Sequence, residues 1–255
     1  MKFAMKNVAI YAYSTGLIGI FCIFWMAASL STTARAQTLQ PFSSATVGAP
    51  PTPWRVVGLP GNKVPLAQVD IAALDGRNVL RLRTDKSYGT ASHALPAGTV
   101  ATTLQWQWRV DQGVDRADLR TKAGDDAAVK VCAMFDLPLE ALGFVERNLM
   151  RLARSASGEY LPAATLCYVW DAALPVGTQL PNAYTRRLRW VVLDSGNAPG
   201  QWREHRRNLA ADFLANFGDD SGTVPPLLTI VVGADSDNTG NRSTAYVGDL
   251  TLVKQ

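Results

Sequence analysis

The stretch TLQWQWRV at residues 103–110 constrains the fold more than any other segment. Leu104, Trp106, Trp108 and Val110 fall on one side, and Thr103, Gln105, Gln107 and Arg109 on the other. A period of two sends successive side chains to opposite faces of an extended chain, so this is a strand with one dry flank and one wet flank. Further strand-like segments follow at 54–57, 66–72, 78–84, 89–95 and 127–135, then at 164–170, 186–193, 201–206, 227–234 and 243–253. Turn-forming residues separate most of them: LDGRN at 74–78, LPAGT at 95–99, DSGNAPG at 194–200 and DSDNTG at 235–240. Many short strands with this punctuation predict a mainly β protein, a β-sandwich of jelly-roll type.

Two segments break the pattern. NLAADFLANFG at 208–218 spaces Leu209, Phe213 and Phe217 four apart, with Asn208 as a cap and Gly218 expected in the left-handed conformation after the last turn. DLPLEALGFVERNLMRLA at 136–153 sets Leu142, Val145, Leu149 and Leu152 on one face, with Asp136 as cap and Pro138 in the first turn. Both are expected to cover an edge or an open end of the sandwich.

Residues 1–36 predict a signal peptide. Lys2 and Lys6 precede an apolar run from Val8 to Leu30, and Ala34 and Ala36 fit the small-residue site for cleavage before Gln37. The alternative is an uncleaved anchor, since the run is long enough to span a bilayer. The leader takes three of the 25 basic residues and none of the 21 acidic ones, so 22 basic residues remain against 21. The high isoelectric point therefore belongs largely to the leader, and no basic tract is left to face a run of phosphates. A periplasmic or extracellular protein is expected, with no nucleic-acid partner and no stable membrane span once the leader is gone. Residues 37–53, rich in Pro, Ser, Thr and Ala, are expected to be a flexible lead into a single domain over 54–255. Cys132 and Cys167 each sit in a strand-like segment. An oxidising compartment permits a bridge between them, but two small buried apolar residues is the favoured reading.

The segments VDQGVDRADLRTKAGDDAAVKVCAMFD, LCYVWD, NAYTRR and IVVGADSDNTG resemble a bacterial family of secreted domains of unknown function, number three-zero-four-seven, over about Trp54 to Leu252. The resemblance implies export and one domain, and brings no activity with it.

The candidate chemistry lies at strand ends. From Asp235, a calcium loop would use Asp237 and Thr239 with Gly240 at the sixth position, but the twelfth is Tyr246, which offers no carboxylate. The segment reads first as a tight turn between the last two strands, and second as a calcium site on Asp235 and Asp237; no other cofactor is expected. No serine elbow, zinc spacing or phosphate loop is present. Aromatic rings beside planar charged groups suit sugars, whose C–H faces stack and whose hydroxyls need donors and acceptors. Trp170, Asp171, Tyr184 and Arg187, with Asp125 and Asp235, are the candidate ligand-binding residues. The expected function is non-catalytic binding of a carbohydrate or envelope glycan. The alternatives are a glycan hydrolase or lyase using loop carboxylates, and a structural envelope protein that docks another protein.

Overall fold

Apolar residues alternate along most strands of this chain, and in a computed structural model they turn inward from two sheets onto one core. The structure describes residues 37–157, 160–196 and 199–253. The leader reading falls on residues 1–36, outside the described residues. Residues Ala34–Gln255 form a compact unit by themselves.

The strands in chain order are β1 (Gln37–Thr38), β2 (Arg55–Val57), β3 (Gln68–Leu74), β4 (Arg77–Asp85), β5 (Tyr88–Thr99), β6 (Thr103–Gln112) and β7 (Ala127–Phe135). They continue as β8 (Ala164–Asp171), β9 (Gln179–Pro181), β10 (Leu188–Ser195), β11 (Arg203–Asn208), β12 (Leu227–Asp235), β13 (Arg242–Val247) and β14 (Thr251–Val253). The helices are α1 (Phe144–Ser157) and α2 (Leu209–Phe217). The first sheet runs β1-β14-β6-β13-β4-β3, with β11 also on β6; the second runs β2-β5-β12-β7-β8-β10-β9. The two make a β-sandwich of jelly-roll type. The β8–β10 pair is parallel.

The strand TLQWQWRV behaves as its pattern predicts: Leu104, Trp106, Trp108 and Val110 are all in the core. The central strands of the second sheet differ. Every residue of β8 is buried, and β7 is buried except at Met134. Val129, Val131, Ala133 and Phe135 of β7 join the main core, whereas Cys132 and Ala127 join a second cluster with Cys167, Val169 and Trp190 on the opposite face. Leu119 and Leu174, from the loops after β6 and β8, join that cluster with Val192 and Val231. Strands covered on both faces read as near-continuous apolar runs, which is why AAVKVCAMF and ATLCYVW show so little alternation.

Several expectations need correction here. Cys132 and Cys167 are not two separate buried thiols: they face each other across the antiparallel β7–β8 pair and form a disulfide. Opposed positions of adjacent antiparallel strands bring Cβ atoms within bridging distance. The segment 37–53 is not a loose lead. Leu39 and Phe42 are buried, and Asp249 accepts hydrogen bonds from the Phe42 amide at 2.7 Å and the Ser43 amide at 2.9 Å. Two apolar side chains in the core and one carboxylate anchor outweigh its turn-rich composition. Lastly, DSDNTG does not reverse the chain between paired strands. It carries it from β12 in one sheet to β13 in the other, with Gly240 at φ 67°.

Helix α2 matches its pattern. The Asn208 side chain accepts from the Ala211 amide at 3.0 Å, and Leu209, Phe213 and Phe217 are buried. It touches β6 and β11 of the first sheet and β8 of the second, so it closes the gap between them. Gly218 is not left-handed but helical, at φ −59°. A side chain there would run into the Leu214 carbonyl, so glycine is required by close packing. The other helix is shorter than its periodicity suggests. Residues Leu139–Ala141 form a separate short turn, and α1 begins only at Phe144.

Candidate functional site

On the outer face of the second sheet, position parity brings charged and aromatic side chains together. Lys130 points the same way as Cys132, and Trp190 lies in the same outer cluster as Cys167. Tyr88 at the start of β5 and Asp235 at the end of β12 pair directly in register. These four, with Asp125, Asn182 and Tyr184 from the covering loops, line a cavity of about 540 Å³.

Local backbone geometry delivers the loop residues. Gly124 fits where a side chain would meet the Asp118 amide nitrogen at 2.7 Å, so the Gly-Asp-Asp run can turn tightly before β7. Asp125 then accepts a hydrogen bond from the Asn182 amide at 2.6 Å. Its neighbour Asp126 turns the other way and ties down the β12–β13 arch, accepting from the Thr239 amide at 2.7 Å and the Thr239 hydroxyl at 2.6 Å. Asn238 in that arch accepts from the Tyr184 hydroxyl at 3.0 Å. Asp126, Asn238 and Tyr184 thus form a relay of bonds that holds the half-exposed Tyr184 ring at the rim.

At the base, the Lys130 ammonium bonds Asp235 at 2.6 Å and lies 4.8 Å from the Tyr88 ring centre and 5.7 Å from that of Trp190. Burial pushes the Asp235 carboxyl up, against the pull of Lys130, to about 6. Burial alone would lower the Lys130 ammonium, but the Asp235 charge reverses that and raises it. Both are therefore charged at neutral pH, a buried pair that is costly to break from one side. Burial also raises the Asp125 carboxyl, with the Asn182 bond opposing it. Asp125 Oδ1 and Trp190 Nε1 are both buried and face one another, and the indole N–H beside the carboxyl lowers it.

Of the six residues expected to bind a ligand, Asp125, Tyr184 and Asp235 converge here. Trp170, Asp171 and Arg187 do not. Trp170 shares parity with Tyr168, so its ring turns into the main core, and its indole donates to the Gly196 carbonyl at 2.8 Å. Asp171 caps the turn after β8 by accepting from the Ala173 amide at 2.8 Å. Both line a separate hollow. Arg187 is buried in ion pairs with Glu146 at 3.0 Å and Asp220 at 2.9 Å. The sequence reading missed Lys130, Trp190, Tyr88 and Asn182. One signal was visible: a lone lysine inside the apolar run AAVKVCAMF, where an ammonium must have a partner.

The candidate calcium residues Asp235 and Asp237 come together with Asp126. Asp126, Asp235 and Asp237 each place a carboxylate oxygen within 4.8 Å of the others. Asp235 is engaged by Lys130 and by the Ala127 amide at 2.8 Å, and Asp126 by the arch. Burial and the nearby Asp126 charge raise the Asp237 carboxyl.

The molecule is thus a two-sheet β-sandwich with a charged, aromatic-lined cavity outside its second sheet. Residues 52–251 match the family model "Protein of unknown function (DUF3047)", and the chain belongs to that family. A search of the curated proteins found no match. Among solved structures, the chain is similar to a family 11 carbohydrate-binding module from Clostridium thermocellum in complex with a β-1,3-1,4-mixed-linked tetrasaccharide, at 11% identity and TM-score 0.39, covering 87% of this chain and 97% of that one. It is also similar to endoglucanase 3 of family GH12 from Trichoderma harzianum, at 10% identity and TM-score 0.42, covering 88% of this chain and 99% of that one. Among the described residues, no helix is long and apolar enough to cross a membrane.

Proposed function

We propose that this is an exported protein that binds a carbohydrate, without cleaving it, in the cavity beside Lys130 and Asp235. One observation carries the reading. The Asp125 carboxyl and Trp190 indole, the Lys130–Asp235 ion pair and the exposed Tyr184 ring stand together in the wall of one cavity. Sugar hydroxyls both donate and accept, so they suit a wall that mixes carboxyl, ammonium and indole groups. Tyr184 at the rim and Tyr88 deeper in supply flat apolar faces for the C–H side of a sugar ring. The disulfide supports an oxidising compartment, in keeping with the leader. Hydrolysis would need two working carboxyl groups; Asp235 is held by Lys130, so Asp125 and Asp237 are the pair in the cavity wall that the cleavage assay tests.

The test is titration of the protein with a panel of soluble glycans, together with a reducing-end assay on the same sugars. At least one glycan should bind, and Tyr184→Ala should weaken it about tenfold, a change of about 1.4 kcal/mol. No binding across the panel, or release of reducing ends that Asp125→Asn abolishes, overturns the reading.

A further inference from the structure

Helix α1 wears its apolar face outward. Phe144, Val145, Leu149 and Leu152 are exposed by 77%, 68%, 61% and 67%. Val145, Leu149 and Leu152 recur at the spacing of one helical stripe. The side that faces the protein carries Met150, buried in the main core, and three polar anchors. Glu146 pairs with Arg187 at 3.0 Å. Arg147 donates to the carbonyls of Leu139 at 3.1 Å and of Glu140 and Leu142 at 2.9 Å. Arg154 donates to the Leu161 carbonyl at 2.9 Å. Three independent polar anchors fix the rotation of the helix, so the outward stripe is specified by the structure.

We propose that α1 docks the protein on an anionic lipid surface. The helix carries Arg147, Arg151 and Arg154 against one acid, Glu146, which shares Arg187 with Asp220. Arg151 is exposed within the outward side, and Arg186, next to Arg187, is exposed as well. An apolar stripe bordered by arginines on a helix too polar to insert fully is the pattern of a helix lying flat in the lipid headgroup region. Its basic residues gain from the negative surface of such a bilayer. A second copy of the chain fits less well. Four side chains fall short of the ~800 Å² per partner that a stable protein interface needs, and two such helices would bring like charges together. The inference does not depend on the carbohydrate reading.

The experiment is co-sedimentation of the Ala34–Gln255 unit with vesicles mixing phosphatidylglycerol and phosphatidylcholine, and with phosphatidylcholine alone. The wild type should partition onto the anionic vesicles, at least tenfold less onto the neutral ones, and less at high salt. The double variant Leu149→Asp/Leu152→Asp should lose at least tenfold in partition, and Arg151→Glu somewhat less, with melting temperatures unchanged because all three positions are exposed. The proposal is overturned if the wild type stays in the supernatant, or if the double variant partitions equally well. It is equally overturned if the double variant converts a dimer in solution to a monomer while lipid binding is absent.

Discussion

Helices α1 and α2 are built from similar apolar spacings and are used in opposite ways. In α2 the apolar stripe of Leu209, Phe213 and Phe217 enters the core between the sheets, where Phe213 packs on Phe135 with ring centres 4.7 Å apart. In α1 the stripe faces solvent, and the helix is attached by a single core side chain, Met150, together with arginine bonds to backbone carbonyls. The difference teaches that periodicity fixes which residues share a face but not what that face meets. Orientation is decided by the partners of the other face. For α2 there is an apolar gap to fill; for α1 there are carbonyls and Arg187 to satisfy.

The largest test of this contrast is truncation. Phe213→Ala should cost about 3–5 kcal/mol in urea unfolding, as for other buried aromatics. Leu149→Ala should stay within about 0.5 kcal/mol, as for surface positions. Comparable losses at the two sites would break the contrast. A second test removes an anchor. Arg187→Met leaves Glu146 and Asp220 without their buried partner, and should cost about 2 kcal/mol. It should also speed amide exchange across residues 144–157 while leaving α2 protected, which hydrogen-exchange mass spectrometry reads directly.

The smallest test uses pH. The Tyr168 hydroxyl donates to Asp212 of α2 at 2.6 Å. Burial first, and then the Asp212 charge, push the Tyr168 hydroxyl well above its usual range. The folded protein therefore keeps this proton where the unfolded chain, with tyrosine at about 10, gives it up. Stability from this group is fully present below about pH 10 and falls as pH rises beyond it. The advantage of wild type over Tyr168→Phe, about 1 kcal/mol near neutrality, should shrink in unfolding curves taken above about pH 10.

Much of the fold was legible. β7 spans 127–135 as its sequence suggests, and β4, β6, β8 and β12 differ by a residue or two at the ends. Asn208 caps α2, and the paired tryptophans of β6 are core. What escaped was set by tertiary contact. The segment 243–253 splits into β13 and β14 because Gly248 passes against the Gln107 side chain, where a Cβ would lie 2.8 Å away. β1 and β9 are two and three residues long, too short to show a period. The site was half legible. Asp125, Tyr184 and Asp235 were placed by being polar or aromatic at segment ends, which is where the cavity opens. Trp170 was misjudged for want of a parity argument: Tyr168 and Trp170 must share one face of β8, and Cys167 and Asp171 the other. The same argument, run between strands, would have set Cys132 and Cys167 on one outer face beside Lys130.

The Cys132–Cys167 bond has one consequence for the outward helix. The bridge spans 35 residues of sequence, and the whole of α1 lies inside the closed ring. Should the polar anchors let go, the helix can swing away only as far as that covalent leash allows, and both feet of the leash stand on the sheet.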